Sequence, residues 1–267
     1  LDPEAFRNAL EADTAKAIKA VILTHSETST GVINDLETIN RHVKAHGEAL
    51  IVVDAVTSLG ACSVPVDAWG LDVVCSGSQK GYMIPPGLGF VAMGERAWAA
   101  QKQSDLPKFY LDLERYRKAA AGNSNPFTPP VNLYFALEAA LDLMQDEGLE
   151  AIFARHDRHR RASQAAMRAL GLPLFAADGY GSPAITAVAP ADLDAEALRK
   201  AVKGRYDILL AGGQDHLKGK VFRIGHLGFV CDRDVLTAVA AIEGALADLG
   251  AASAQPGTGV AAAAAVL

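Results

Sequence analysis

SGSQKGYMIPPGLGF, residues 76–90, sets one charged side chain, Lys80, among serines, glycines, prolines and apolar residues. Gly77, Gly81, Pro85, Pro86, Gly87 and Gly89 forbid a long helix here and force close, irregular backbone, a setting that a solvated lysine does not need. Apolar runs of strand length flank the stretch: LDVVCS (71–76) leads into it and LGFVAM (88–93) leads out. Lys80 therefore belongs to a turn at the end of a sheet strand. Further upstream, AVILTH (20–25) and ALIVVD (49–54) read as two more buried strands. Between them DLETINRHVKAHG (35–47) carries apolar residues at helical spacing and closes on Gly47, and Asp2-Pro3 caps and starts a first helix. Strands alternating with amphipathic helices predict a mainly parallel sheet covered by helices. Three of the strands run into polar loops, THSETSTG, DAVTS and SGSQK. In open α/β sheets the ligand lies beyond the carboxyl ends of the strands, so these loops should converge on it.

Downstream, residues 131–171 read as two long helices, the second rich in arginine, leading out of the first domain. A smaller α/β unit follows: PAITAVAP as a strand, DAEALRKAVKGR as a helix, YDILLAGG and KVFRIGHLG as strands, and DRDVLTAVAAIEGALADLG as a closing helix. The expected organisation is a larger domain over 1–147, a smaller one over 148–250, and a low-complexity tail over 251–267, frayed or loosely docked.

Composition narrows the class of function. Of 267 residues, 50% are hydrophobic and 21% charged, the balance of a globular chain with a sizeable core. A net charge of −6 argues against nucleic acid as the main partner, since phosphate backbones attract basic faces, and favours small molecules. No apolar run has the length of a membrane span and LDPEAFRNAL lacks the regions of a signal peptide, so a cytoplasmic protein without membrane association is expected. Cys62, Cys75 and Cys231 have no close pairing and fit reduced thiols; Cys75 and Cys231 stand in apolar runs and read as buried core. His156 and His159, in RHDRHRR, invite a metal reading. Four surrounding arginines repel a cation, so a solvated helix face is expected instead, and no metal.

Lys80 has the setting of a reactive amine, in a turn whose small neighbours leave room for a flat ligand. Local context leaves open a lysine that merely caps a carbonyl or projects into water. Asp54, ending LIVVD, should lie at the same rim. The two could form a structural salt bridge. They are also what pyridoxal 5'-phosphate requires, an amine for its aldehyde and a carboxylate to keep its ring nitrogen protonated. Ser78, Gln79 and Thr128 in FTPPV are candidates for its phosphate.

At this point a resemblance becomes specific. THSETSTG, VVDAVTSLG, SGSQKGYMIPPGLGF, PFTPPVNL and FRIGHLG, in that order and spacing from about residue 20 to residue 249, resemble the class V aminotransferases, and most of all their alanine–glyoxylate and serine–glyoxylate (serine–pyruvate) branch. The resemblance implies a pyridoxal-phosphate-dependent transferase of fold type I, with a large sheet domain and a smaller α/β domain, working as a homodimer with shared active sites. By the same resemblance Lys80 joins the cofactor and moves the substrate proton, and Asp54 holds the ring nitrogen. Thr28 bonds near the phenolic oxygen, Gln79 binds the phosphate, Thr128 reaches the phosphate of a neighbouring subunit, and Arg223 clamps the substrate carboxylate.

Two departures stand out. The family usually places a tyrosine just before the phosphate-binding threonine, whereas this chain reads NSNPFTPP. A glycine-rich loop that cups the phosphate and an aromatic residue that stacks on the ring lie upstream of AVILTHSETSTG in the family, and neither is in this sequence, which is accordingly read as a portion of a longer protein with the N-terminal part of its large domain absent. The reaction implied is transfer of an amino group from alanine or serine to glyoxylate or another small 2-oxo acid. Cysteine desulfuration is the nearest rival chemistry, disfavoured by Gln79 where a histidine is usual. A nicotinamide oxidoreductase lacks its G-x-G-x-x-G. A third alternative is a non-catalytic accessory subunit, of the soluble-hydrogenase-subunit type carried by some relatives of this branch.

Overall fold

The structure, a computed structural model, describes residues 1–251 and 255–267. In chain order its elements are α1 (Pro3–Ala12), β1 (Ala20–Thr24), β2 (Ser26–Glu27), β3 (Val32–Ile33), α2 (Leu36–His46), β4 (Leu50–Asp54), α3 (Val66–Trp69), β5 (Val73–Gly77), β6 (Gly89–Met93), α4 (Glu95–Gln101), α5 (Leu113–Ala121), α6 (Val131–Glu147) and α7 (Leu149–Ala169). After these come β7 (Ile185–Val188), α8 (Ala195–Tyr206), β8 (Ala211–Gly212), a 3-10 turn (Asp215–Leu217), β9 (Phe222–Gly225), α9 (Asp232–Asp248) and α10 (Thr258–Ala264).

The helix starts follow capping chemistry. Asp2 accepts from Glu4 N at 3.0 Å ahead of Pro3, and Asp35 accepts from Thr38 N at 3.0 Å. Four strands form the first sheet in the order β1-β4-β5-β6, the first three parallel and β6 antiparallel to β5. Leu36, Ile39 and Val43 on α2 bury against Ile51 and Val53 of β4 and Val74 of β5. Ile22 on β1 and Val91 on β6 remain exposed, at 75% and 46%. The second sheet, β7-β9-β8, is antiparallel, and its core gathers Met167, Val188, Leu198, Phe222, Val239 and Ile242 from α7, β7, α8, β9 and α9.

A short hairpin joins the two sheets. Between β2 and β3 the chain turns through Gly31, whose φ of +66° and close approach leave no room for a side chain: a Cβ there would meet Ala187 N at 2.9 Å. Ser182 N donates to Gly31 O at 2.8 Å, and the hydroxyls of Ser26 and Ser182 bond at 2.8 Å. The hairpin loop, residues 28–31, is thereby laid along the second sheet.

Three expectations are corrected. The tail is not loose: α10 packs on α7 and α9, Ala263 is fully buried, and a Cβ on Gly259 would lie 2.8 Å from Leu170 Cδ1, so the small residues of this segment allow close helix approach. Residues 252–254 of that tail lie outside the described residues. YDILLAGG forms only the two-residue β8, because Asp207 takes a left-handed φ of +55° and Leu209 is 77% exposed, so the segment meets β9 only at its end. His156 and His159 are not on a solvated face but fully buried. His156 Nδ1 pairs with Ile152 O at 2.8 Å and its Nε2 accepts Gly228 N at 3.0 Å, while His159 Nε2 meets Asp232 Oδ1 at 2.9 Å.

Candidate active site

The carboxyl ends of β1, β4 and β5 lie side by side, with Thr24 opposite Asp54 and Asp54 opposite Cys75. Asp54 ends the middle strand of the three and is exposed. Its Oδ1 accepts Val56 N at 2.9 Å, which fixes the carboxylate at the rim, and Oδ2 has no partner among the described residues. Its charge, added to burial, raises the pKa of the facing Cys75 thiol, with burial the larger cause.

Three residues beyond β5 stands Lys80, half-buried, in a turn gripped from two sides. A Cβ on Gly81 would come within 2.4 Å of Leu59 O, so only glycine lets the turn press against the Leu59–Gly60 backbone. From the second unit Gly228, at φ +82°, stands so close that a Cβ would be 3.3 Å from Lys80 O. Met83 N donates to Lys80 O at 3.0 Å, and Met83 itself holds a φ of +64°, a left-handed conformation uncommon for a side-chain-bearing residue and of the kind that surrounding structure must enforce. Within this rigid turn Lys80 Nζ forms no hydrogen bond or ion pair among the described residues.

Arg223 projects from β9 and is 8% exposed. Its Nε donates to Gly212 O at 2.8 Å and its Nη1 to Thr28 O at 2.7 Å, so the hairpin loop and β8 hold the guanidinium plane. A guanidinium has five N–H donors, and three remain, one on Nη1 and two on Nη2. Burial lowers the arginine's pKa, and the nearby Glu27 carboxylate opposes that shift. The Thr28 hydroxyl has no partner among the described residues.

The expected phosphate ligands are placed less uniformly. Ser78 is fully buried; its hydroxyl donates to Pro85 O at 2.8 Å and accepts Leu88 N at 3.2 Å. It staples the glycine- and proline-rich loop and, in this arrangement, keeps no proton for a phosphate oxygen. Gln79 is exposed, its Oε1 folded back toward Gly77. Thr128 is exposed and lines a separate cleft of about 940 Å³ with Ser76, Tyr82, Phe90, Tyr110 and Phe127; Lys80, Asp54 and Arg223 take no part in that cleft. The fit to pyridoxal phosphate is therefore good at the lysine and the acid, and thin at the phosphate end.

The thiols are also redistributed. Cys231, expected in the core, is exposed at the start of α9, its sulfur bonded to Asp234 Oδ2, and Cys75 is only half-buried. Burial drives the Cys62 thiol up to about 12. Sequence reasoning passed over Gly228, Thr28 O and Gly212 O; the glycine in FRIGHLG was the one available signal, because the two carbonyls act through backbone that every residue shares. Among the described residues no helix is long and apolar enough to cross a membrane.

The family model for aminotransferase class-V matches residues 2–225. The chain is 67% identical over 267 residues to the "Soluble hydrogenase, small subunit" of Synechococcus sp., covering all of this chain and 70% of that protein. It is 38% identical over 273 residues to a serine–glyoxylate aminotransferase of Methylorubrum extorquens, covering 99% of this chain and 68% of that one. Its fold superposes on the crystal structure of pyridoxamine–pyruvate aminotransferase from Mesorhizobium loti with a TM-score of 0.93 at 36% identity, over 100% of this chain and 68% of the other.

Proposed function

We propose amino-group transfer on pyridoxal 5'-phosphate for this chain, which belongs to the class-V aminotransferase family. The donor is a small amino acid, alanine or serine, and the acceptor is glyoxylate or another small 2-oxo acid. The observation that carries the reading is Lys80 Nζ, uncommitted in a turn of enforced geometry at the rim that also presents Asp54. When bound, the cofactor supplies an electron sink for the substrate carbon. The remaining work falls to this chain. Lys80 would hold the aldehyde and then carry the proton at the substrate carbon, since a displaced amine is a general base already in place. Asp54 Oδ2 would keep the ring nitrogen protonated. The three remaining donors of Arg223 would take the substrate carboxylate, for which a planar fork is the best match. A homodimer, in which Thr128 serves a neighbouring site, belongs to the same proposal.

A second reading has the sequence likeness on its side, since 67% identity to a protein named as a soluble hydrogenase subunit exceeds 38% identity to a named transaminase. In it the chain is an accessory subunit that keeps the fold in a larger assembly. The site geometry favours the first reading and the relative's name the second.

One preparation separates them. The full-length protein is purified, its visible absorption recorded, and alanine or serine added, followed by glyoxylate. Transamination predicts a band that bleaches with the amino acid and returns with the oxo acid, borohydride label on Lys80, and no band in Lys80→Ala. Asp54→Asn should keep the band and transfer amino groups far more slowly. A protein with no bound cofactor that copurifies with hydrogenase activity, unaffected by Lys80→Ala, establishes the accessory reading instead.

A further inference from the structure

The buried histidines of α7 have no place in the chemistry above, yet one of them touches the backbone that touches Lys80. His156 is fully buried, and its tautomer is set by its partners: Nδ1 carries the proton and donates to Ile152 O at 2.8 Å, so Nε2 is the acceptor that takes Gly228 N at 3.0 Å. Arg155, one residue earlier, donates from Nη1 to Gly228 O at 2.9 Å and Val230 O at 3.2 Å, while its Nε and Nη2 are tied to Glu147. Both polar groups of the Gly228 peptide region are thus held by adjacent residues of one helix. On its other side Gly228 abuts Lys80 O and Met83 Cγ, each 3.3 Å from where its Cβ would be.

We propose that His156 is a positioning residue: by accepting the Gly228 N–H it holds the 226–230 loop against the Lys80 turn and fixes the direction in which the Lys80 side chain leaves it. The inference rests on the reading of Lys80 as the reactive lysine. It gives the second unit a part in aiming a lysine that the first sheet carries. It also accounts for a neutral imidazole at this place. Burial is the main cause that brings the His156 pKa to about 4; the Arg155 and His159 charges lower it further, and Ile152 O and the Glu147 carboxylate oppose them. His226, itself fully buried and neutral-favouring, faces the same group. A proton on Nε2 would remove the one acceptor that Gly228 N has among the described residues.

The test is hydrogen exchange on the full-length protein, read in peptides covering 78–84 and 226–231, with a peptide over β4 as reference. His156→Leu keeps an apolar filler and loses the acceptor, whereas His156→Gln keeps a carbonyl oxygen on a side chain of similar reach. The expected result is exchange at least about tenfold faster in both peptides for His156→Leu, the reference unchanged, and substantial recovery in His156→Gln. If His156→Leu is insoluble, His156→Asn, whose carbonyl is too short to reach Gly228 N, replaces it with the same expectation. Faster exchange in 226–231 with 78–84 unchanged overturns the proposal, as does an increase spread evenly over the reference peptide. Borohydride labelling of the unmutated protein keeps the two ideas apart: label absent from Lys80 defeats the transaminase reading, while the exchange pattern still decides whether His156 holds the turn.

Discussion

Replacing Arg223 by lysine preserves a positive charge and removes a shape. In the structure the guanidinium spans two carbonyls, Gly212 O at 2.8 Å from Nε and Thr28 O at 2.7 Å from Nη1, and keeps three N–H donors without a partner among the described residues. A lysine ammonium is a single nitrogen. It can satisfy one of those carbonyls or face the substrate, and it cannot present two parallel N–H groups to a carboxylate while doing either. The loss of one charge-assisted contact to the substrate is worth about 1.5–3 kcal/mol, on the order of tenfold to a hundredfold in affinity. The carbonyl left without its donor adds a separate cost of about 1–3 kcal/mol to folding, reduced where water can reach it. Arg223→Lys should therefore raise the half-saturating concentration of amino and oxo acids by that factor, read from bleaching of the visible band, and lower the unfolding midpoint modestly while the band itself stays. Retained substrate affinity would refute the assignment of the three free donors to a carboxylate. Loss of the band together with the affinity would show that Arg223 serves the fold of the site and not the substrate.

Three further outcomes follow from the packing. Gly81→Ala forces a methyl group toward Leu59 O, 2.4 Å away, and should cost about 1–3 kcal/mol in urea unfolding, whereas Gly204→Ala on the open face of α8 should stabilise by about 0.5–1 kcal/mol; equal effects would contradict the close approach at Lys80. Burial lowers the pKa of His25 and His156 to about 4 and of His226 to about 3, below the unfolded value of 6.5, so the stability they leave intact above that value is lost as pH falls from about 6.5 toward 4. The unfolding midpoint should accordingly drop between pH 7 and pH 5, and a flat profile there would count against three buried neutral imidazoles. With a chromogenic disulfide reagent, the exposed Cys231 should react faster in the native protein than the half-buried Cys62, whose thiol burial pushes up to about 12, and equal rates at the two would contradict that difference.

The strands of the first sheet were legible as short apolar runs, the three parallel ones each leading into a polar loop, and AVILT, LIVVD, VVCSG and GFVAM fall within a residue or two of the expected limits. Lys80 and Asp54 came with them, since parallel neighbours necessarily end together. What stayed hidden depended on distant partners. RHDRHRR shows four cations and two imidazoles in a row, and nothing local reveals that Arg158 and His159 both meet Asp232, or that Arg155 caps carbonyls at 228 and 230. Such pairings turn an apparently wet helix face into an interior one. Ser78 misled for the opposite reason: its type suits a phosphate, but its loop consumes the hydroxyl. α4 and α5 escaped because their segment, residues 94–126, carries neither a clear apolar stripe nor strand periodicity, and α5 buries no residue at all.

The bond from Arg223 to Thr28 O joins residues 195 positions apart. On a ribosome adding about 5–20 residues per second, the hairpin loop emerges roughly 10 to 40 s before the arginine that will lean on it. The first sheet has ample time to close around α2 in that interval, since its parallel neighbours lie close together in sequence. The guanidinium anchored on Thr28 O and Gly212 O does not exist during it. On the proposed function, a nascent chain thus has its lysine–aspartate rim in place before the arginine that would take a substrate carboxylate, and substrate binding would arrive late, when β9 is made and the second sheet docks along Gly31.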